Sequence, residues 1–306
     1  MARVHVSAPL VGDATERLAA AHDVEIGRLG DDADAWVTLL TDPIDDARLA
    51  GAKALRVVAN VAVGVDNVDL GACRARGVVV TNTPGVLTEA TADLAFGLVL
   101  AACRRIAEGD RLVRAGGWKG WSPSFMVGGR VHGATLGIVG LGRIGQAVAR
   151  RARGFGMHVL YTQRAPLPEP LARALGATWA TLDDLVAASD IVSIHCPLTP
   201  ETRGLFSAAR LSSMKAGSVL VNTARGPIVD EGALAAALEH GPLAAAGLDV
   251  FADEPRVHPA LLALPNVVLT PHIASAEEAT RAAMASLAVD NVLAVLAGKP
   301  PLTPVG

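Results

Sequence analysis

The sequence contains few of the residues that characterise disulfide-stabilised, metal-bound or aromatic-rich proteins. Only three cysteines occur among 306 residues, and Cys73, Cys103 and Cys196 are far apart and form no CxxC pair. They indicate neither a disulfide framework nor a zinc or other metal site, and they suit a reducing compartment. Aromatic residues make up only 3% of the chain, so its core must be built mainly from small aliphatic side chains.

A large excess of one charge and a long apolar run are also lacking. The formal net charge of −3 gives no electrostatic reason to expect a nucleic-acid partner. The longest apolar run, near Leu94–Cys103, is too short to span a bilayer and is interrupted by Gly97. The N-terminal apolar stretch is too short for a signal peptide. We therefore expect a soluble cytoplasmic protein with neither a membrane nor a nucleic-acid partner.

Short apolar segments alternate with helical patterns along the whole chain. Near-continuous apolar strands are buried on both faces, which predicts parallel sheets in a doubly wound α/β fold. One long helix is predicted at about 88–106, and the tail from Ser275 to about Leu296 is predicted to be helical. The predicted strands are 3–7, 35–40, 56–61 and 78–82 before the long helix, and 136–140, 158–162, 191–196, 218–223, 245–250 and 267–270 after it.

This arrangement predicts two doubly wound parallel-sheet domains. A Rossmann-type cofactor domain, residues 88–275, would be inserted in a flavodoxin-like substrate-binding domain, residues 1–87 and 276–306. The second group of strands has the number expected of a full dinucleotide-binding sheet. The chain would pass between the domains twice, which suits hinge closure over a cleft.

A glycine turn begins this second group of strands. Gly140, Gly142 and Gly145 directly follow the strand LGIVG and lead into a helix. The first glycine permits the tight turn, the second lets the backbone approach a pyrophosphate, and the third allows close packing of helix on sheet. Free N–H groups at the helix N-terminus would bind the phosphates. The turn therefore predicts a dinucleotide site formed by Gly140, Leu141, Gly142, Arg143, Ile144 and Gly145.

The end of the next strand distinguishes NAD from NADP. An acidic residue about 20 positions past the turn would bind the ribose 2′-hydroxyl of NAD. No acidic residue lies between Gly145 and Pro168, and Gln163 and Arg164 occupy the strand end. A guanidinium there can bind a 2′-phosphate in bidentate fashion, with Arg143 nearby. We therefore predict NADPH as the preferred cofactor and NAD as a possible one, although Arg164 can also be explained as a solvated surface residue.

Three polar side chains follow predicted strands of the second domain. Arg225, Glu254 and His272 all fall at the carboxyl edge of the sheet, where doubly wound folds bind ligands. Reduction of a 2-oxo acid needs a cation for the carboxylate, an acid that protonates the carbonyl oxygen and a group that keeps this acid charged. Arg225, Glu254 and His272 are residues of the types that these three tasks require. A helix-capping role for Arg225 and a solvated loop position for Glu254 remain as alternatives.

The chain resembles the D-2-hydroxyacid dehydrogenase family over essentially its whole length. The segments that carry the resemblance are VAVGVDNVDL (61–70), GLGRIG (140–145), NTARG (222–226), DVFADEP (249–255) and PHIAS (271–275). Within the family, ACRR (102–105), GGWKGW (116–121) and VLYTQR (159–164) are most similar to glyoxylate/hydroxypyruvate reductases. Ala274 stands where many relatives have Gly, a small change that should leave the site intact.

The resemblance implies a role for each matching residue. Arg225 would bind the substrate carboxylate and polarise the carbonyl, His272 would be the general acid in reduction, and Glu254 would orient its imidazole. The backbone N–H groups of Val63 and Gly64 would also bind the carboxylate. The residues implied to contact the cofactor are Asp249, at the nicotinamide carboxamide, and Pro197, Thr202, Thr223, Ala224 and Ser275, along the cleft.

The tryptophans of GGWKGW bear on the oligomeric state. In the reductases that this sequence resembles, the second Trp of the motif reaches from one subunit into the active site of the other. Trp121 would then be a wall of the substrate pocket, and the enzyme would be a homodimer. The alternative is a Trp121 that lies in an interface or in the core without contacting substrate.

The activity predicted from these residues is NADPH-dependent reduction of glyoxylate or hydroxypyruvate to the D-2-hydroxy acid, with His272 as proton donor. Glu254 argues against formate dehydrogenases, which have Gln at that position, and Val63 against phosphite dehydrogenases, which have Lys. A reductase of a bulkier 2-oxo acid such as phenylpyruvate is the main alternative. A non-catalytic, nucleotide-sensing protein similar to a corepressor is a less favoured one.

Overall fold

A computed structural model describes all 306 residues, and the chain divides into two compact units. The first unit consists of Met1–Thr88 and Ser275–Gly306, and the second of Glu89–Ala274. One unit contains a five-stranded sheet and the other a seven-stranded sheet, and every strand pairing in both is parallel. The predicted fold class, two parallel-sheet α/β domains, is therefore confirmed.

The sheet of the first unit has the strand order β2-β1-β3-β4-β5, which is the flavodoxin-like order. Its strands are β1 (Arg3–Val6), β2 (Asp23–Ile26), β3 (Ala35–Thr38), β4 (Val57–Asn60) and β5 (Val79–Thr81). Its helices are α1 (Ala14–Ala21), α2 (Asp46–Leu49), α3 (Leu70–Ala75) and, after the chain returns to this unit, α12 (Glu278–Leu296).

Helix α12 forms much of the core of the first unit. The helix is 19 residues long and has a mean hydropathy of 1.3 over an 18-residue window. By length and composition alone it could cross a membrane. Ala285, Ala288, Val289 and Val292 on this helix are buried together with apolar residues of β1, β3 and β4. Packing of this kind is typical of a core helix in an α/β domain.

The sheet of the second unit has the order β12-β11-β10-β9-β6-β7-β8. The reversal of strand order between β9 and β6 is the switch point at which such folds bind dinucleotides. The strands are β6 (Thr135–Val139), β7 (His158–Thr162), β8 (Ala177–Trp179), β9 (Ile191–Ile194), β10 (Ser218–Asn222), β11 (Leu243–Leu248) and β12 (Val267–Leu269). The helices are α4 (Thr88–Cys103), which begins at the boundary between the units, α5 (Ile106–Arg114), α6 (Arg143–Gly154), α7 (Glu169–Leu175), α8 (Leu182–Ala188), α9 (Ala208–Ser212), α10 (Glu231–Glu239) and α11 (Pro259–Ala263).

The structure corrects three details of the predicted elements. The helix predicted over 88–106 ends at Cys103, because Arg105 has a φ of 54° and the Gly129 N–H donates to the Cys103 carbonyl at 2.7 Å. Strands β2 and β8 were not predicted. Both lie at sheet edges and are largely exposed, so neither shows the continuous apolar pattern of a central strand.

Candidate active site

The glycine turn lies between β6 and α6, at the switch point of the second unit's sheet. Gly140 has a φ of 96°, and a Cβ on it would lie 2.7 Å from the backbone nitrogen of Cys196. A Cβ on Gly145 would lie 2.3 Å from the carbonyl oxygen of Gly140. A Cβ on Gly142 would meet no protein atom within 4 Å. The outer two glycines are thus required by the fold itself, whereas the middle one keeps open the approach to the N-terminus of α6.

Two further features fit a dinucleotide at this turn. No side chain caps the N-terminus of α6, and its first turn contains no acidic residue, so its N–H groups and its dipole suit a phosphate. The hydroxyl of Thr223, just past β10, is buried and has no hydrogen-bond partner within the protein. A buried polar group normally has such a partner, so Thr223 suits a polar ligand.

The other residues predicted for the cofactor lie at strand ends of the same sheet. Gln163 and Arg164 directly follow β7, and Gln163 donates to the carbonyl of Ala165 at 2.8 Å while Arg164 is exposed. The Thr202 hydroxyl donates to the Pro197 carbonyl at 2.7 Å, in the segment after β9. Arg164 is also one of the charges that lower the pKa of Glu201, although a hydrogen bond with Thr199 is the main cause.

His272 and Glu254 form a direct pair. The imidazole Nδ1 lies 2.8 Å from Glu254 Oε2, and both side chains are about three-quarters buried, with exposed fractions of 24% and 27%. The other carboxylate oxygen, Oε1, accepts a hydrogen bond from the Phe251 N–H at 2.9 Å. Since Nδ1 is engaged by the carboxylate, Nε2 is the ring nitrogen left to exchange a proton with a ligand.

The Glu254 carboxylate is suited to remain ionised. Burial disfavours its charged form, but the hydrogen bonds from His272 and from the Phe251 N–H, with the nearby positive charge of Arg225, outweigh burial and lower the pKa of Glu254. A carboxylate that stays negative can accept a hydrogen bond from Nδ1–H and so fix the orientation of the imidazole. The pair is therefore arranged to present Nε2 to a ligand.

Asp249 fixes the loop that carries His272. It is fully buried at the end of β11, and its Oδ1 accepts hydrogen bonds from the Thr270 hydroxyl at 2.6 Å and the Ile273 N–H at 2.8 Å. Its Oδ2 accepts from the Ala274 N–H at 2.9 Å, and burial is the main cause of the raised pKa of Asp249. His272 itself has a φ of 51°, a left-handed conformation that costs energy in a residue other than glycine. The Asp249 bonds hold the backbone in this conformation.

The loop after β10 places Arg225 beside the loop that carries Glu254. Asn222 determines the shape of this loop, because its amide donates to the Arg225 carbonyl at 2.9 Å and its Oδ1 accepts from the Ala224 N–H at 3.0 Å. A Cβ on Gly226 would lie 1.9 Å from the carbonyl carbon of Phe251. The Arg225 loop and the 251–254 loop are therefore in backbone contact.

The remaining predicted residues lie elsewhere in the chain. Val63, Gly64 and Ser275 belong to the first unit, the first two in the loop after β4 and the third at the start of the returning segment. Trp121 follows α5 in the second unit and is 80% exposed. No group of three or more His, Cys, Asp or Glu side chains is arranged to hold a metal ion.

Sequence reasoning missed two side chains that support the predicted catalytic residues. Asn222 ends a buried strand, and this position of a polar residue is the signal that could have identified it. Glu231, the first residue of α10, accepts a hydrogen bond from the Ala252 N–H at 2.7 Å and so helps to hold the loop before Glu254. No local sequence signal connects Glu231 with a residue 21 positions away.

The fold and this site define a nicotinamide-dependent oxidoreductase. A dinucleotide turn at the switch point and an imidazole–carboxylate pair at the carboxyl ends of the same sheet are the parts such an enzyme needs. The sequence model of the D-isomer specific 2-hydroxyacid dehydrogenase NAD-binding domain matches residues 96–274. The chain belongs to the D-isomer specific 2-hydroxyacid dehydrogenase family, whose reaction is the interconversion of 2-oxo and 2-hydroxy acids.

Individual relatives are similar over most of the chain. A glyoxylate reductase of Korarchaeum cryptofilum is 52% identical over 88% of this chain and 82% of its own length. A crystal structure of a Thermus thermophilus protein has a TM-score of 0.92 at 47% identity, with 99% of this chain and 100% of that chain covered. An NADPH-dependent glyoxylate/hydroxypyruvate reductase of Sinorhizobium meliloti, in complex with NADP and malonate, has a TM-score of 0.91 at 38% identity, with 100% and 97% covered.

Proposed function

We propose that this enzyme reduces glyoxylate or hydroxypyruvate to the corresponding 2-hydroxy acid, glycolate or D-glycerate, with NADPH as hydride donor. The observation that carries the proposal is the His272–Glu254 pair, 2.8 Å between Nδ1 and Oε2, next to the Arg225 loop. In this arrangement His272 can protonate a carbonyl oxygen while Arg225 binds the neighbouring carboxylate of the substrate. The glyoxylate reductases among its relatives support the choice of a small 2-oxo acid.

In the proposed mechanism each residue has one task. The Arg225 guanidinium and the N–H groups of Val63 and Gly64 hold the substrate carboxylate, and Arg225 also polarises the carbonyl. The bound nicotinamide supplies the hydride to the carbonyl carbon. His272 Nε2 gives its proton to the carbonyl oxygen, which becomes the hydroxyl, and the imidazole is left neutral with Nδ1 still bonded to Glu254. One hydride and one proton are consumed for each 2-oxo acid reduced.

The proposed residues also account for cofactor binding. The N-terminus of α6 and the Gly140–Gly145 turn hold the pyrophosphate, and Thr223 with Ala224, Pro197, Thr202, Asp249 and Ser275 line the rest of the cleft. The preference for NADPH rests on Gln163 and Arg164 at the end of β7, with Arg143 at the start of α6. Arg164 is exposed and can move to clamp a 2′-phosphate. The NADP complex of the Sinorhizobium meliloti relative supports this preference.

A matrix of initial rates tests the proposal. NADPH and NADH are each measured against glyoxylate, hydroxypyruvate, pyruvate and phenylpyruvate. We expect the highest kcat/KM with NADPH and one of the first two acids. A higher kcat/KM with phenylpyruvate would favour the reductase of a bulkier 2-oxo acid, and a higher kcat/KM with NADH would refute the cofactor assignment.

The variant Arg164→Asp tests the cofactor assignment at the residue level. The substitution removes the proposed phosphate clamp and adds a carboxylate that repels the 2′-phosphate and can accept a bond from the 2′-hydroxyl of NADH. We expect the ratio of kcat/KM for NADPH to that for NADH to fall by about tenfold or more, the worth of a charge-assisted hydrogen bond. Arg281→Asp, at an exposed position on α12, is the matched control and should leave the ratio unchanged.

A further inference from the structure

The loop after β4 has three consecutive peptide groups whose carbonyls are all held from within the first unit. The Ala62 carbonyl accepts a hydrogen bond from the Thr83 N–H at 2.8 Å. The Val63 carbonyl accepts from the Asn82 side-chain amide at 2.8 Å, and the Gly64 carbonyl accepts from the Asn60 amide at 3.0 Å. Two of the three donors are asparagine side chains from neighbouring strand ends, those of β4 and β5.

Holding these carbonyls also fixes the direction of the N–H groups. In a trans peptide the C=O and the N–H of the same group point in opposite directions. The N–H groups opposite the three held carbonyls are those of Val63, Gly64 and Val65. None of these three N–H groups donates a hydrogen bond within the protein. Consecutive backbone N–H groups without a partner in the protein can together donate hydrogen bonds to an anion.

The two asparagines are themselves firmly held. Asn60 is fully buried, its Oδ1 accepts from the Thr38 hydroxyl at 3.0 Å, and its amide also reaches Asn67 Oδ1 at 3.2 Å. The Asn67 amide in turn donates to the carbonyls of Leu39 and Asp42 at 3.1 and 2.9 Å. This network explains why a fully buried polar side chain is tolerated at the end of β4, because each of its polar atoms has a partner.

The second asparagine is anchored through the C-terminal segment. The Thr303 hydroxyl donates to the Asn82 carbonyl at 2.6 Å, and the Asn82 N–H donates to the Thr303 carbonyl at 3.3 Å. Thr303 is in turn held by Asn291 of α12, whose amide donates to the Thr303 hydroxyl at 2.8 Å and whose Oδ1 accepts from the Thr303 N–H at 3.0 Å. A continuous chain of hydrogen bonds therefore runs from α12 to the Val63 carbonyl.

We propose that Asn60 and Asn82 are positioning residues that turn the N–H groups of Val63, Gly64 and Val65 into a carboxylate cradle, with Val65 as a third donor. The inference rests on the proposed function, in which this loop binds the substrate carboxylate. The asparagines do not contact the substrate. They act by orienting the peptide groups. They also strengthen the donors, because a hydrogen bond to the carbonyl of a peptide group polarises the N–H of that same group.

The experiment replaces Asn82, which is only partly buried, with Leu, so that the donor is removed without adding a charge. The holoenzyme is assayed for KM and kcat with glyoxylate, and its binding of oxamate, an amide analogue of a 2-oxo acid, is measured by calorimetry. We expect the KM and the oxamate Kd to rise together by roughly ten- to a hundredfold, as for a weakened hydrogen bond to a charged group. The cofactor Kd should change by less than about twofold, because no cofactor contact is proposed for this loop.

Asn266→Leu is the matched control. Its amide also donates to two backbone carbonyls, those of Leu238 and Ala244, but in the second unit and at the opposite ends of the strands. This variant should leave the oxamate Kd unchanged. Asn82→Ser, which keeps a hydroxyl donor on a shorter side chain, serves where the Leu variant is insoluble, and it should give a smaller rise of the same two constants.

The outcomes separate this inference from the proposed function. Unchanged KM and oxamate Kd in Asn82→Leu would overturn the positioning role, as would a rise matched by an equal loss of cofactor affinity. The failure of the wild-type enzyme to reduce any 2-oxo acid would overturn the proposed function. Oxamate binding does not depend on turnover, so the oxamate Kd of Asn82→Leu would still test the positioning role in that case. A wild-type enzyme that binds no oxamate would overturn the positioning role.

Discussion

At the scale of single residues, Glu254 and His272 show how far a sequence can predict a site. Both follow strands in recognisable segments, so their proximity could be expected from the parallel sheet alone. The separate hydrogen bonds of the two carboxylate oxygens could not be expected, because Oε1 bonds to the Phe251 N–H through a turn whose shape only the structure gives. The bonds of the buried Asp249 to the loop of His272 could not be predicted either, because they depend on the backbone conformation of that loop.

The variant Glu254→Gln tests the pairing of these residues. The substitution removes the negative charge that accepts the hydrogen bond of the imidazole Nδ1. The midpoint of the falling limb of kcat/KM against pH, for reduction, should therefore move to lower pH. The direction follows because the reduction consumes a proton from the charged imidazole, which the negative Glu254 stabilises.

The same substitution in another His–Glu pair supplies the control. His240 Nε2 lies 3.6 Å from Glu239 Oε2, and both side chains are exposed. Glu239→Gln should leave the pH profile of kcat/KM in place. An unchanged midpoint in Glu254→Gln would show that the carboxylate does not support the charged imidazole.

Glu254 also affects stability. Because the pKa of Glu254 is lowered in the folded enzyme, its contribution to stability is present above its ordinary pKa and is lost as the pH falls through its folded value.

At the scale of elements, the central strands could be predicted, whereas two of the four edge strands, β2 and β8, could not. The central β4 and β9 are buried along their full length and read as apolar runs. In β2 no residue is buried, and in β8 only Ala177 is, so hydrophobic patterning carries no signal for either strand. The degree of burial, rather than edge position alone, thus decides whether hydrophobic patterning predicts a strand, since the edge strands β5 and β12 contain no exposed residue and were predicted. The break between α4 and α5 was missed for a related reason, since it depends on a contact with the distant Gly129.

The glycine turn allows a prediction at this scale, in which two glycines of helix α6 are compared. A Cβ on Gly145 would lie 2.3 Å from the Gly140 carbonyl oxygen, so Gly145→Val must push α6 away from the turn. We expect a loss of about 1–3 kcal/mol of unfolding free energy, as for overpacking, and at least a tenfold rise in the NADPH Kd. Urea denaturation and fluorescence titration measure the two quantities.

Gly154, in the last turn of the same helix, is the matched position. A Cβ there meets no atom within 4 Å, so Gly154→Ala should stabilise the enzyme by about 0.4–1 kcal/mol and leave the NADPH Kd unchanged. A Gly145→Val variant that binds NADPH normally would show that close packing of α6 on the turn is not needed for the cofactor.

At the scale of the whole molecule, the sequence's lack of aromatic residues is reflected in a core of small aliphatic side chains. In the first unit one of the two core clusters consists of Val, Ala and Leu alone, and the other contains a single aromatic residue, Trp36. Six of the fifteen exposed large apolar side chains fall in one segment, residues 106–127. Its exposed members are Ile106, Val113, Trp118, Trp121, Phe125 and Val127.

The helix α5 within this segment has no buried residue, although one of its faces is apolar. Clustered exposed apolar side chains are typical of protein interfaces, and two-fold dimers are the commonest oligomers. This surface therefore supports the proposed homodimer, in which Trp121 either reaches the active site of the other subunit or remains an interface residue. Neither arrangement could be predicted in detail from sequence, because the interface depends on which residues the fold leaves exposed.

The double variant Ile106→Lys/Val113→Lys tests this assembly. Two charges placed on the apolar face of α5 would have to be desolvated in an interface, so we expect the wild-type mass of a dimer, measured by light scattering, to fall to that of a monomer. Leu262→Lys, at a similarly exposed position of α11, should remain a dimer. A wild-type chain that is monomeric at micromolar concentration would refute the homodimer.

The role of Trp121 is tested by activity. If Trp121 lines the pocket of the neighbouring subunit, the double Lys variant should lose kcat/KM for the 2-oxo acid together with its dimeric mass. Trp121→Ala should then lose kcat/KM while the dimer persists. A Trp121→Ala dimer with unchanged kcat/KM would instead assign this side chain to the interface alone.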